Sequence, residues 1–174
     1  MSEVRRVFFA LWPPDTVRQQ VAAQTKTFIP DNARPVASTN LHMTLVFLGA
    51  VAKDELLNYQ NAATAIHARA FKMTLDQAGC FARAQVLWLG TSRESQPLQA
   101  LVSALNKELE GYGFQPENKP FVSHVTLARK YRQERAISMP VAIDWQVNDF
   151  ALVESRSTSK GVSYHVLQSW PLLA

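Results

Sequence analysis

The sequence predicts an α+β fold of two pseudo-symmetric lobes, each an antiparallel sheet with helices outside it, with a cleft between them. Three observations lead there. Short β-prone apolar runs and helical stripes share out all 174 residues with no low-complexity linker. A four-residue pattern, His42-Met43-Thr44-Leu45, returns as His124-Val125-Thr126-Leu127 about half the chain length later. Each copy also follows a helical stretch and a Pro-containing loop, so the order of elements repeats while the residues between them do not. Residues 1–174 are therefore read as one bilobal domain.

Residues 5–12, Arg-Arg-Val-Phe-Phe-Ala-Leu-Trp, are a compact apolar run stopped by Pro13 and Pro14, which reads as a buried strand. Asp15 stands where a helix N-cap would, and Val17, Val21, Thr25 and Phe28 recur at helical spacing. That helix must end before Pro30, because proline disfavours helical geometry in the residue before it. A polar loop over 31–40 containing Pro35 leads into a strand over 41–48 that Gly49 closes. A second helix is predicted over 53–69, with Leu56, Leu57, Ala63 and Ile66 as its apolar stripe, and strands over 71–75 and 86–89. The third helix has the clearest stripe: Leu98, Leu101, Val102, Leu105 and Leu109, with Ser95 as N-cap and Gly111 and Gly113 as the stop. An irregular loop over 116–120 precedes the strand 121–128. The tail offers strands over 141–147, 150–154 and 162–167, with a turn over 157–161 in which Gly161 supplies a positive φ.

Composition narrows the function. Apolar residues make up 47% of the chain and charged residues 18%, which is globular rather than disordered. The net charge of +4 favours an anionic partner, but the basic residues are scattered, so selectivity for an anion has to come from a site rather than a patch. Cys80 is the single cysteine, which excludes an intramolecular disulfide and reads as a small hydrophobe. The opening Met-Ser-Glu-Val-Arg-Arg has no signal-like apolar region, and no run approaches membrane-spanning length. The expected address is the cytoplasm, away from membranes.

If both motif runs are strands, period-two alternation puts His42 with Thr44, and His124 with Thr126, on one face; Met43, Leu45, Val125 and Leu127 take the other. One His on a strand is ordinarily a satisfied core or rim residue. Two in matching contexts argue for a shared purpose, since each buried imidazole costs free energy unless satisfied. His67, in the polar second helix, and His165, in a terminal strand, lack that setting. A catalytic zinc usually takes a third protein ligand, and neither motif strand carries Asp, Glu or Cys, so no metal and no cofactor is expected. No Gly-x-Ser-x-Gly elbow marks a serine hydrolase. What remains is acid–base chemistry: with pKa values ordinarily near 6.5, one imidazole takes a proton from an attacking hydroxyl while the other protonates the leaving oxygen. The Thr hydroxyls can donate to non-bridging phosphate oxygens, an arrangement suited to a strained cyclic phosphodiester.

These paired motifs resemble the 2H phosphoesterase superfamily, and within it the bacterial RNA 2′,3′-cyclic phosphodiesterases, also called 2′–5′ RNA ligases. The resemblance runs nearly end to end: 6–10 is similar to the family's first strand, 40–49 to its first motif, 120–129 to its second and 161–170 to its final strand. It implies a LigT-like fold and hydrolysis of a terminal 2′,3′-cyclic phosphate to a 2′-phosphomonoester, with no cofactor. It also implies that His42 is the general acid and His124 the general base. If an RNA 5′-hydroxyl replaces water, the same chemistry makes a 2′–5′ linkage. The implied partner is RNA with a cyclic phosphate end, tRNA halves among the candidates, or a small cyclic nucleotide. A monomer is expected.

The helping cation divides the two lines of reasoning. Strict alternation from His124 puts Thr126, Ala128 and Lys130 on the site face and turns Arg129 away. The family's second motif implicates Arg129, five positions after the His. A bulge or strand end after Leu127 reconciles them, and Arg129 is the expected phosphate ligand because its planar fork suits phosphate better than a point charge. Phe9, Phe47, Phe81 and Trp88 are candidates to stack on a base. Two rivals stay open: the same chemistry on a small cyclic nucleotide or ADP-ribose cyclic phosphate, and a non-catalytic module that binds a nucleotide or RNA end.

Overall fold

A computed structural model describes residues 3–27, 29–132 and 142–174. Ten strands and three helices follow in order: β1 (Val4–Leu11), α1 (Asp15–Thr25), β2 (Arg34–Pro35), β3 (Met43–Ala52), α2 (Lys53–Thr64), β4 (Phe71–Leu75), β5 (Gln77–Phe81), β6 (Val86–Gly90), α3 (Gln96–Glu110), β7 (Val125–Arg129), β8 (Ile143–Val147), β9 (Asp149–Thr158) and β10 (Gly161–Pro171). A 3-10 turn over Ser38–Asn40 leads into β3.

The architecture is α+β with antiparallel sheets, as the alternation of patterns predicts. Strands β10-β9-β1-β3 of one lobe and β7-β6-β5 of the other run as a single eight-stranded sheet, with β2 also pairing with β7. A single antiparallel pair, Met43 with Val125, joins the two. The chain does not divide at its midpoint, however. The C-terminal hairpin β9–β10 completes the N-terminal sheet by pairing with β1, and β2, from the N-terminal half, pairs with β7. Strands β4 and β8 form a separate two-stranded sheet.

Helix α3 buries the predicted stripe; Ser95 Oγ accepts from Leu98 N–H, which satisfies one of the N–H groups a helix start leaves open. In α1, Val17, Val21 and Thr25 are buried as their spacing predicts; Phe28 lies outside the described residues, as do Val141 and the rest of 133–141. Asp15 is the first helical residue rather than the cap, and the Pro14 carbonyl accepts the first helical bond from Arg18 N–H.

Helix α2 departs furthest from expectation. It stops at Thr64, not near 69, and its buried face is Tyr59, Ala62 and Ala63, with Leu57 in solvent. Residues 68–70 are held instead by the C-terminus: Ala70 N–H donates to Leu173 O, and Leu173 N–H to Ala68 O. That tertiary pairing ends the helix. His67 therefore follows α2 instead of lying in it. Gly49 likewise does not end β3; at φ +80° it sits inside the strand, which runs on to Ala52. The strand expected over 121–128 begins only at Val125, and β5 was not anticipated.

Candidate active site

The one pair that joins the lobes also builds the site. Met43 and Val125 are the middle residues of the two His-x-Thr motifs, so their antiparallel pairing brings His42 toward Thr126 and Thr44 toward His124. His42, Thr44, His124 and Thr126 are half-buried, whereas Met43, Leu45, Val125 and Leu127 are buried in the core. The expected alternation holds in both motifs. Thr44 and His124, one from each motif, line the same groove of about 270 Å³.

The two imidazoles are mounted alike. His42 Nδ1 lies 2.7 Å from the Asn40 carbonyl and His124 Nδ1 lies 2.8 Å from the Val122 carbonyl, each two residues back. A carbonyl oxygen only accepts, so each Nδ1 carries the hydrogen and Nε2 is left for chemistry. His42 Nε2 stands 3.2 Å from Thr44 Oγ1, which donates to it while the ring is neutral.

The strands carry a second matched device. Ala10 pairs with Thr44 and Phe9 with Val46, leaving Leu45 as an extra residue; Trp88 pairs with Thr126 and Leu87 with Ala128, leaving Leu127 as one. A bulge thus follows the Thr of each motif. It puts two consecutive residues into the core, Leu45–Val46 and Leu127–Ala128, and returns the next residue to the site face. That residue is Phe47 in β3 and Arg129 in β7. Phe47 lines the groove with Thr44 and His124, and the charge of Arg129 acts on His42. Strict alternation thus fails after Leu127, which removes the reason for turning Arg129 away from the face of Thr126, and Lys130, at φ +57°, begins the turn away.

The aromatic surroundings differ from those the sequence suggests. Phe9 is fully buried against Phe150 and Trp170 and is no part of the site. Phe81 stands edge-on to His124 at 5.1 Å and packs on Trp88 at 5.6 Å. Trp88 needs Gly79 opposite it, since a Cβ there would fall 2.3 Å from the indole. Phe47, 42% exposed, has the Arg6 guanidinium 4.9 Å over its ring. Sequence reading missed the rings around His42: Phe8 at 4.9 Å, Tyr164 at 4.9 Å and Trp12 stacked at 5.9 Å. The alternation Phe8-x-Ala10-x-Trp12 carried that signal for two of them. Tyr164 comes from β10, which only the topology brings near.

Arg18 was missed as well. It is buried on α1 and donates to the carbonyls of Pro13 and Ser38, with its guanidinium 5.0 Å over Trp12. It therefore holds both the ring stacked on His42 and the 3-10 turn whose Asn40 carbonyl fixes the His42 tautomer. Burial lowers its own pKa.

Burial also pushes His42 down to about 4; the Asn40 carbonyl works against this, and the charges of His124, Arg129 and Arg18 add to it. A neutral imidazole at pH 7 follows, and with it a pH-dependent stability. The unfolded chain, with an ordinary His pKa near 6.5, binds the proton first, so stability is lost as pH falls from about 6.5 toward 4. His42 is expected to account for about 3 kcal/mol of that loss. Urea unfolding of the wild type and His42→Gln across this range measures it, and an unchanged slope in the variant would refute it.

His67 and His165 are exposed and lie outside this cluster. Among the described residues, no three of His, Cys, Asp and Glu come together as a metal would require. No helix among them is long and apolar enough to cross a membrane.

Comparison with known proteins gives matches over nearly the whole chain. The model of the 2′-5′ RNA ligase superfamily matches residues 13–158. An RNA 2′,3′-cyclic phosphodiesterase of Escherichia coli K12 is 35% identical over 175 residues, covering 99% of both chains. One from Thermus thermophilus is 34% identical, over 96% of this chain and 90% of that protein. Among solved structures, E. coli LigT complexed with 3′-AMP superposes with a TM-score of 0.85 at 33% identity, covering 98% of this chain and 99% of that one. Paired histidines with one tautomer, paired threonines and paired bulges are thus set in a family as well as in a fold: the chain belongs to the 2′-5′ RNA ligase superfamily of 2H phosphoesterases.

Proposed function

We propose that this protein is an RNA 2′,3′-cyclic phosphodiesterase that opens a terminal cyclic phosphate to a 2′-phosphomonoester. The observation that carries the reading is the meeting, at the Met43–Val125 pair, of two imidazoles each anchored through Nδ1 to a backbone carbonyl, which leaves both Nε2 atoms as the proton-transferring positions. His124 Nε2 takes a proton from water as the water oxygen attacks phosphorus. The bond from phosphorus to the 3′ oxygen breaks, and His42 Nε2–H supplies that oxygen's proton. Thr44, Thr126 and Arg129 hold the non-bridging oxygens as charge builds there. Solvent exchange then resets the two rings.

The acid role sets one condition. His42 is neutral in the free protein, so the anionic phosphodiester must raise its pKa on binding, as a negative charge beside an imidazole does. With an RNA 5′-hydroxyl in place of water, the same two proton transfers run the ring opening as ligation. In this reading the whole chain acts as one bilobal, monomeric unit in the cytoplasm, and no metal takes part.

Purified protein is expected to convert an oligoribonucleotide ending in a 2′,3′-cyclic phosphate to the 2′-monophosphate in the presence of EDTA, read by chromatography of the products. Formation of the 3′-monophosphate would reverse the assignment of the leaving oxygen. Loss of turnover on chelation would overturn the two-imidazole mechanism.

A further inference from the structure

Arg34 plays no part in the site as built above, yet its placement is specific. Strand β2 is only two residues long, and its register puts Arg34 directly opposite Arg129 on β7. Val36 N–H donates to Leu127 O at 2.8 Å on one side, and Ala33 is buried on the other, so the segment is pinned at both ends. Directly opposed residues of an antiparallel pair share a face, with Cβ atoms about 4.5–5.5 Å apart, and like charges there repel.

That repulsion has no counterweight among the described residues. Their ion pairs lie elsewhere: Arg5 and Arg156 with Glu154, Arg5 with Glu3, and Lys72 with Asp144. Among the described residues no carboxylate pairs with Arg34 or Arg129, and both are exposed. Two guanidiniums held side by side at a sheet edge, the inner one beside the histidine pair, lack an anion larger than the single phosphate that Arg129 receives. Such a row of charge leads outward from the reacting phosphorus, as a polyanionic strand would.

We infer that Arg34 binds a phosphodiester of the RNA chain upstream of the terminal cyclic phosphate, which makes an oligoribonucleotide rather than a mononucleotide the preferred substrate. The inference rests on the activity proposed above and specifies its substrate class. Kinetics on a mononucleotide 2′,3′-cyclic phosphate and on a decaribonucleotide with the same end, for wild type, Arg34→Gln and Arg34→Lys, test it. Arg34→Gln is expected to raise KM for the decamer about tenfold and to change mononucleotide turnover less than about twofold. The slope of log kcat/KM against log salt for the decamer should fall by about 0.7, the contribution of one phosphate contact on a single strand, and Arg34→Lys should restore most of it. Equal loss on both substrates would assign Arg34 to the reacting phosphate and overturn the inference, as would no loss on either. A wild type that turns over neither substrate would instead defeat the activity itself.

Discussion

His42→Gln and His124→Gln are each expected to lower kcat by about 10²–10⁴-fold, the range in which a positioned acid or base contributes, while the fold melts normally at pH 7. Glutamine preserves bulk and hydrogen-bonding capacity but cannot move a proton. The double variant should be little worse than the weaker single, because the two rings serve one concerted transfer. Additive losses would show two independent contributions and refute the pairing. The pH profiles add a sharper signature. In the free protein His42 is held down to about 4, so the protonated form needed of an acid is scarce at pH 7. Bound phosphodiester raises it. The alkaline limb of kcat/KM, which reports the free enzyme, should therefore lie below that of kcat, which reports the complex. Both limbs belong to the coupled pair and not to one ring each. Coincident limbs would mean that substrate does not recharge His42, and the acid and base assignments would have to be exchanged.

The parts of this molecule that were legible in the sequence are those governed by local periodicity. The α3 stripe and the His-x-Thr alternation each state which face is buried, the continuous apolar run of β1 states that both are, and each is obeyed. What escaped depends on partners far along the chain. Helix α2 ends at Thr64 because residues 68–70 pair with the C-terminus, and nothing within 53–69 announces that competitor. The cage of His42 needs Tyr164 from the C-terminal hairpin, which reaches the site only because β9 pairs with β1. Arg18 carries no mark of its role in its own helix; its burial follows from two backbone carbonyls and a tryptophan face supplied by other segments. The bulges lie between these cases. A strand with two apolar residues running, Leu45-Val46 or Leu127-Ala128, hints at a broken alternation, but only the partner strand shows which residue is the extra one.

That bulge carries the second large prediction. Arg129→Met is expected to lower kcat/KM by about 10²–10³-fold, the usual loss when a donor aimed at developing phosphoryl charge is removed. Arg129→Lys should recover only part of it, because an ammonium cannot bridge two oxygens as a guanidinium does. Lys130→Ala separates the two geometries. If β7 alternated strictly, Lys130 would face the phosphate and its loss would be the damaging one. With Leu127 inserted, Lys130 is already turning away at φ +57°, and turnover should change less than about twofold. The field supplies an independent readout, since Arg129 is among the charges that depress His42. In Arg129→Met the His42 resonance should titrate at a higher pH than in wild type, whether or not substrate is present. A kinetic loss without that movement would place Arg129 on the substrate but out of reach of the acid. A loss confined to Lys130→Ala would show that β7 runs straight through Leu127, and the matched bulges would then be no part of how this chain aims its cation.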